Sequence, residues 1–365
     1  MRVLFRADAS LHIGTGHVMR CLTLAEALRE RGADCHFICR SHPGNLINEI
    51  EQRGFGIAEL PYDCKWTGAD RSQPLHSAWL GEDWETDAEK SKVGAGGTAA
   101  DWLIVDHYAL DSRWERALAP HYRKLMVIDD LADRPHACDL LLDQTFGRDA
   151  MDYIPLVPVD CHLLCGSQYA LLRPEFSALR AYSLQRRVQP ALRELLINMG
   201  GVDKDNATGQ VLQAMYSCPL PADFQITIVM GETAPWVDEV RKQAQDMPMP
   251  SRVLVGVSNM AQLMADSDLA IGAAGATSWE RCCLGVPTII LVLAENQCKV
   301  AQRLCQLGAA KSLKLGQSAT THLTELLLQL IEDPTQLLHM SNCAASILDG
   351  SGVNAVMRQM EECGE

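Results

Sequence analysis

Short apolar runs recur along the chain, each closing in a polar or glycine-bearing turn, with segments of helical period between most of them. In the first half they lie at 3–5, 35–39, 102–105, 125–128, 140–142 and 162–165. In the second half they lie at 195–199, 226–230, 252–255, 269–271 and 288–293. Runs this short and this apolar are strands buried on both faces, and their alternation with helices implies parallel sheets covered on both sides. The first intervening segment has the required period. Val18, Cys21, Leu22, Ala25 and Leu28 make one apolar face, while Arg20, Glu26, Arg29 and Glu30 lie elsewhere. The fold class expected is α/β, with two doubly wound Rossmann-like domains facing a cleft.

Two domains also follow from length, since 365 residues exceed one ordinary core. The strand series restarts after a polar, proline-flanked connection at 173–193. The expected division is therefore 1–180, 181–345 and a helical tail at 346–365. Residues 65–100, rich in Gly, Ser, Asp and Trp, break the pattern and read as a longer, partly mobile insertion. A net charge of −14 argues against nucleic acid or an anionic membrane surface as partner. The 14 cysteines contain no C-x-x-C pair, so neither zinc nor a disulfide framework is expected, and no metal site is assigned. No run reaches ~18 apolar residues, and the chain is expected to be a cytoplasmic monomer.

Two glycine turns carry the chemistry. The first is Gly14-Thr15-Gly16-His17, between the opening strand and the first helix. A turn of this kind presents free backbone N–H groups to an anion, and His17 adds a group for proton transfer where the helix begins. A lone histidine at a helix start commonly caps or packs, but here the glycines open the backbone beside it. Arg20, one turn on, joins Gly14 and Gly16 as substrate-binding. A dinucleotide fingerprint is excluded. Met19 stands where a third glycine belongs, and the second strand ends in Cys39-Arg40-Ser41-His42 without the acidic residue.

The second turn is Gly272-Ala273-Ala274-Gly275-Ala276-Thr277, again between strand and helix. Ala274, Gly275, Ala276 and Thr277 would let a diphosphate sit against the helix start, and Glu280, about one turn on, is placed to accept from a ribose diol. Gly200 and Gly201 end the first strand of the second domain and bring backbone close to a ligand, with Asp203 or Asn206 available for a polar contact. Asp203-x-Asp205 looks like a metal-binding element, but a helix N-cap uses the same residues. Tyr108 follows the strand at 102–105, Arg173 lies at the domain boundary and suits a phosphate or a salt bridge, and Asn296-Gln297 end the most apolar strand.

Taken in order and spacing, these residues resemble the nucleotide-sugar glycosyltransferases of the GT-B architecture. Within it they resemble the UDP-sugar hydrolases of pseudaminic acid biosynthesis. The resemblance runs from Arg2-Val3-Leu4-Phe5-Arg6-Ala7-Asp8 and 13–17 through Asp106-His107-Tyr108, Cys165-Gly166, 169–173, Met199-Gly200-Gly201 and Glu280 to Asn296-Gln297. It implies that the second domain binds UDP, with backbone near Val257 facing the uracil and Glu280 on the ribose. It implies that His17 acts on the water attacking the anomeric carbon, that Tyr108 and Asn296 line the sugar, and that Asn206 touches substrate. No cofactor is implied. One departure is Val202, where the family's Gly-Gly-Thr-Asp turn carries a hydroxyl. Other readings of the same residues are a transferase using a sugar or lipid acceptor, an epimerase, or a nucleotide-sugar binding protein without turnover.

Overall fold

The computed structural model describes residues 1–63, 74–316 and 318–364, apart from the side chain of Asn296. The chain divides into two units, Met1–Leu171 with Gly352–Glu365, and Leu172–Ser351.

The first unit is built on β1 (Arg2–Ala7), β2 (Asp34–Arg40), β3 (Gly56–Leu60), β4 (Ala100–Asp106), β5 (Tyr122–Ile128), β6 (Leu140–Asp143) and β7 (His162–Cys165). Their order across the sheet is β3-β2-β1-β4-β5-β6-β7, and every pairing is parallel. Helices α1 (Gly16–Glu30), α2 (Ile47–Gln52), α3 (Trp84–Ala95) and α4 (Ser112–Ala117) cover it. Successive side chains along a strand point to opposite faces, so each strand feeds two cores. Val3, Phe5, Phe37, Trp102 and Ile104 pack with α1 on one face. Leu4, Ile38, Leu103, Val105 and Val127 pack with Ala88, Ala95 and Trp114 of α3 and α4 on the other. Both faces of the sheet are thus occupied, which is why its strands read as continuous apolar runs.

The second unit repeats the plan with β8 (Glu194–Asn198), β9 (Gln225–Met230), β10 (Ser251–Val255), β11 (Leu269–Ala273), β12 (Thr288–Leu291) and β13 (Ala310–Leu313). These follow the order β10-β9-β8-β11-β12-β13, again all parallel. Its helices are α5 (Pro174–Arg186), α6 (Ala207–Met215), α7 (Val237–Gln245), α8 (Met260–Asp266), α9 (Thr277–Cys283), α10 (Cys298–Gln306), α11 (Ala319–Glu332) and α12 (Thr335–Ala345). The chain then returns to the first unit as α13 (Gly352–Gly364), whose Val353, Val356, Met357 and Met360 join the core beside α1.

Three boundaries differ from the sequence reading. The division expected after residue 180 falls inside α5, which belongs wholly to the second unit. Arg180 donates to the carbonyls of Cys283 and, at 2.7 Å, Ala345, and the Ser183 hydroxyl donates to Leu284 at 2.7 Å. The expected tail at 346–365 is not separate, because α13 completes the first core. Of the insertion expected at 65–100, residues 64–73 lie outside the described residues. Much of the remainder is α3, the crossover from β3 to β4 that a parallel sheet requires. Asp83 caps that helix by accepting from the Thr86 N–H at 2.8 Å, and an added Cβ at Gly94 would lie 2.9 Å from that of Ala58, so helix and strand meet closely. Its polar composition hid the helix because only one stripe, with Ala88 and Ala95, enters the core. Among the described residues no helix is long and apolar enough to cross a membrane.

In both units the strand order reverses once, between β1 and β4 and between β8 and β11. Ligands of such sheets bind beyond the carboxyl ends of the strands at that reversal.

Candidate active site

His17 sits at the first reversal. The chain leaves β1 and turns at Gly14, whose φ of +82° is open to glycine but strained for a side chain. The Ser10 carbonyl accepts from the Gly14 N–H at 2.8 Å, and the Ser10 hydroxyl accepts from His12 and Ile13 at 3.1 and 2.9 Å. The turn is therefore fixed before α1 begins. Thr15 makes no side-chain cap at the start of α1, and an added Cβ at Gly16 would meet no atom within 4 Å. The backbone beside His17 is bare.

Asp106, at the end of β4, gathers the site. Its carboxylate is fully buried and accepts from His17 Nδ1 at 2.5 Å and from Arg20 Nε and Nη2 at 2.5 and 2.7 Å. Burial alone would raise this carboxyl, but the charge of Arg20 and the hydrogen bonds from Arg20 and His17 outweigh it and hold Asp106 below the usual carboxylate range. An ionised carboxylate only accepts, so Nδ1 carries the proton and the lone pair of a neutral His17 lies on Nε2. Among the described residues Nε2 has no hydrogen-bond partner. Carboxylate, imidazole and free Nε2 form the arrangement in which a histidine removes a proton from water or a hydroxyl. Arg20 also donates to Asp130 Oδ2 at 2.6 Å, and the Tyr108 hydroxyl donates to the same oxygen at 2.7 Å. The Tyr108 ring stands edge-on to His17, with centroids 4.6 Å apart.

The structure thus brings His17, Arg20 and Tyr108 together. It adds Asp106 and Asp130, to which the sequence assigned no role. A signal was present: β4, β5 and β6 all run out in aspartate, at Asp106, Asp129-Asp130 and Asp143. Asp8 follows β1 at the same edge. Four adjacent strands carry buried carboxylates there, paired with Arg6, Arg20, Arg134 and Arg148. Asp143 differs from the others, since burial and the nearby Asp130 raise it to about 6 against the pull of Arg148.

In the second unit Gly200, Gly201, Val257 and residues 274–277 follow the carboxyl ends of β8, β10 and β11, Glu280 lies in α9 and Arg173 precedes α5. Gly200 takes φ +95°, and an added Cβ at Gly231 would lie 1.9 Å from the Gly201 carbonyl oxygen, so the turns after β8 and β9 pack backbone on backbone. Asp203 accepts from Ala207 and Thr208 N–H at 2.8 and 2.9 Å, and the Asn206 side chain accepts from Gly209 at 3.0 Å. Both side chains cap α6, which occupies Asn206 Oδ1. Val257 is half-buried just past β10. The residues Ala274, Gly275, Ala276 and Thr277 join β11 to α9, and an added Cβ at Gly275 would meet nothing within 4 Å.

Beneath that turn lies Arg281, which the sequence did not single out. It is buried and donates to the Ala273 carbonyl at 2.7 Å and the Ser278 hydroxyl at 3.1 Å, and burial pulls it down to about 10. Burial raises Glu280 to about 7, opposed by Arg173 and Arg281, which places Arg173 within electrostatic reach of Glu280. Arg173 itself pairs with Glu175 at 3.0 Å. Gln297 Oε1 accepts from the Leu293 N–H at 3.0 Å, and the Asn296 side chain lies outside the described residues. Among the described residues no group of three or more His, Cys, Asp or Glu side chains is arranged to hold a metal ion.

Residues 198–354, most of the second unit, match the glycosyltransferase family 28 C-terminal domain. The chain superposes on the MurG of Acinetobacter baumannii with a TM-score of 0.66 at 16% identity, covering 99% of each chain. It superposes on CalG4, the calicheamicin glycosyltransferase, with a TM-score of 0.63 at 14% identity, covering 99% of this chain and 98% of that one. The fold is GT-B. In sequence this GT-B chain is 28% identical over 309 residues to the UDP-2,4-diacetamido-2,4,6-trideoxy-β-L-altropyranose hydrolase of Campylobacter jejuni, covering 84% of this chain and 97% of that protein.

Proposed function

We propose that the protein hydrolyses a UDP-linked 2,4-diacetamido-2,4,6-trideoxy sugar at its anomeric C–O bond, releasing UDP and the free sugar. The observation that carries this reading is His17, with Nδ1 on the ionised Asp106 and Nε2 without a hydrogen-bond partner among the described residues. Likeness to a UDP-sugar hydrolase along most of the chain supports it. On this reading His17 Nε2 takes a proton from water as the oxygen bonds to the anomeric carbon. The bond from that carbon to the diphosphate oxygen breaks, and its electron pair leaves with UDP. The carbon passes through an oxocarbenium-like state, and attack opposite UDP inverts it. Base catalysis of this kind contributes ~10²–10⁴-fold. Asp106 stabilises the imidazolium that forms.

UDP would be held by the second unit. Backbone near Val257 would face the uracil, Glu280 the ribose diol, and the turns at Gly200-Gly201 and 274–277 the diphosphate, with Arg173 adding charge nearby. In the first unit, Tyr108 and Arg20 would line the sugar. A second reading, transfer to an acceptor, is favoured by the match of residues 198–354 to the family 28 domain and would use the same dyad. Incubation with the UDP-sugar and no acceptor separates the two. UDP and free sugar should appear one for one, and release only on adding an acceptor would overturn hydrolysis.

A further inference from the structure

A cluster of three rings lies beside the His17 dyad. Trp79 stacks on Tyr108 with centroids 5.7 Å apart and planes at 24°, and His76 lies 4.4 Å from Trp79 and 5.6 Å from Tyr108. The His17 and Trp79 rings are 6.3 Å apart. Trp79 belongs to the short 3-10 turn Ser77–Leu80, between β3 and α3. In that turn it is Leu80 that enters the core, with Ile38 and Leu103, while Trp79 and His76 keep part of their rings at the surface. The turn is anchored on its other side by Glu82, which accepts from the buried Arg40 and from Lys90. Burial lowers His76, which favours its neutral form. The result is a fixed, largely apolar aromatic surface one ring away from the free Nε2.

A water on Nε2 lies about 3 Å from it, and the attacked carbon about 3 Å further, so a pyranose ring at that carbon comes within reach of Trp79, whose ring centroid is 6.3 Å from that of His17. Aromatic rings gain by covering C–H and methyl surface and lose by stripping water from hydroxyls that they cannot hydrogen-bond. We propose that Trp79, backed by Tyr108 and His76, is a specificity-determining residue that packs against the methyl-bearing face of an acetamido, 6-deoxy sugar and disfavours sugars with a hydroxyl there. This rests on the hydrolase reading and names the group within the site that selects the sugar.

One methyl group in an apolar pocket changes discrimination by about 10–200-fold, and a half-open wall belongs at the low end. The test is steady-state hydrolysis of UDP-2,4-diacetamido-2,4,6-trideoxy-β-L-altropyranose by wild type, Trp79→Ala and Trp79→Phe, with UDP-N-acetylglucosamine and UDP as competing inhibitors. Trp79→Ala should raise KM for the trideoxy sugar about tenfold. The inhibition constants of UDP and UDP-N-acetylglucosamine should stay almost unchanged, and Trp79→Phe should keep most of the discrimination. An unchanged KM, or an equal weakening of all three ligands, would overturn the wall while leaving hydrolysis standing. If the wild-type protein hydrolyses no UDP-sugar, the functional reading falls and the wall with it.

Discussion

Asp106→Asn isolates the charge of the carboxylate from its shape. Asp106 Oδ1 accepts from His17 Nδ1 and Arg20 Nη2, and Oδ2 accepts from Arg20 Nε. An amide must place its NH2 at one of these positions. At Oδ1 it would face two N–H donors, and at Oδ2 one N–H donor and the Cys21 thiol at 3.7 Å, whose sulfur can also accept, so it turns its nitrogen toward Oδ2's place. His17 then keeps its acceptor and its tautomer, and what it loses is the negative charge that stabilises the imidazolium. Two unit charges ~4 Å apart at an effective dielectric of about 20 interact by ~4 kcal/mol. Arg20 already offsets part of that field, which leaves about 3 kcal/mol, or about 10²-fold in kcat. KM should change little, because the lost interaction develops only in the transition state. Stability should fall by about 2 kcal/mol, since one charged hydrogen bond is lost while Arg20 retains Asp130 at 2.6 Å. UDP release under saturating substrate, with a thermal melt alongside, measures both quantities. A kcat within about threefold of wild type would refute the claim that Asp106 supports a charged intermediate.

Two further outcomes follow from the same geometry. His17→Ala should lower turnover by ~10²–10⁴-fold while calorimetry still finds UDP bound with near wild-type affinity, and near-normal rates would remove His17 from the mechanism. Glu280 has a folded pKa of about 7, above its ordinary 4.5, so the protein favours its neutral form. That stabilising contribution is fully present below about pH 4.5 and is lost as pH rises through about 7, worth about 3 kcal/mol in all. Glu280→Gln stays neutral, so in urea unfolding it should match wild type near pH 5 and exceed it near pH 8, and parallel pH curves for the two proteins would contradict the assignment.

Eleven of the described strands were legible because the inner strands of each sheet are covered on both faces, which leaves apolar runs with no alternation to misread; the edge strands β3 and β13, partly exposed, left no such run and were not read. The His17 turn was legible because two glycines two residues apart, between a strand and an amphipathic run, form a local signal. Asp106 and Asp130 were not assigned, since their bonds to His17 and Arg20 join residues 89 and 110 apart in sequence. The doubly wound order does place β1 beside β4, so the run Trp102-Leu103-Ile104-Val105-Asp106 carried the information in principle. Arg281 left no trace because its partners are backbone and hydroxyl groups that no motif marks. Helix α3 was read as an insertion because composition outweighed its single buried stripe. The domain division was set too late because α5, polar on most of its surface, looks like a connection, although Ser183 and Phe176 are fully buried.

The central claim is that water, activated at His17, attacks the anomeric carbon. Hydrolysis of UDP-2,4-diacetamido-2,4,6-trideoxy-β-L-altropyranose in ¹⁸O-water, without acceptor, tests it directly by mass spectrometry of both products. The account predicts one ¹⁸O in the released sugar and none in UDP. Label in the UDP phosphate would mean cleavage of the P–O bond and would contradict it.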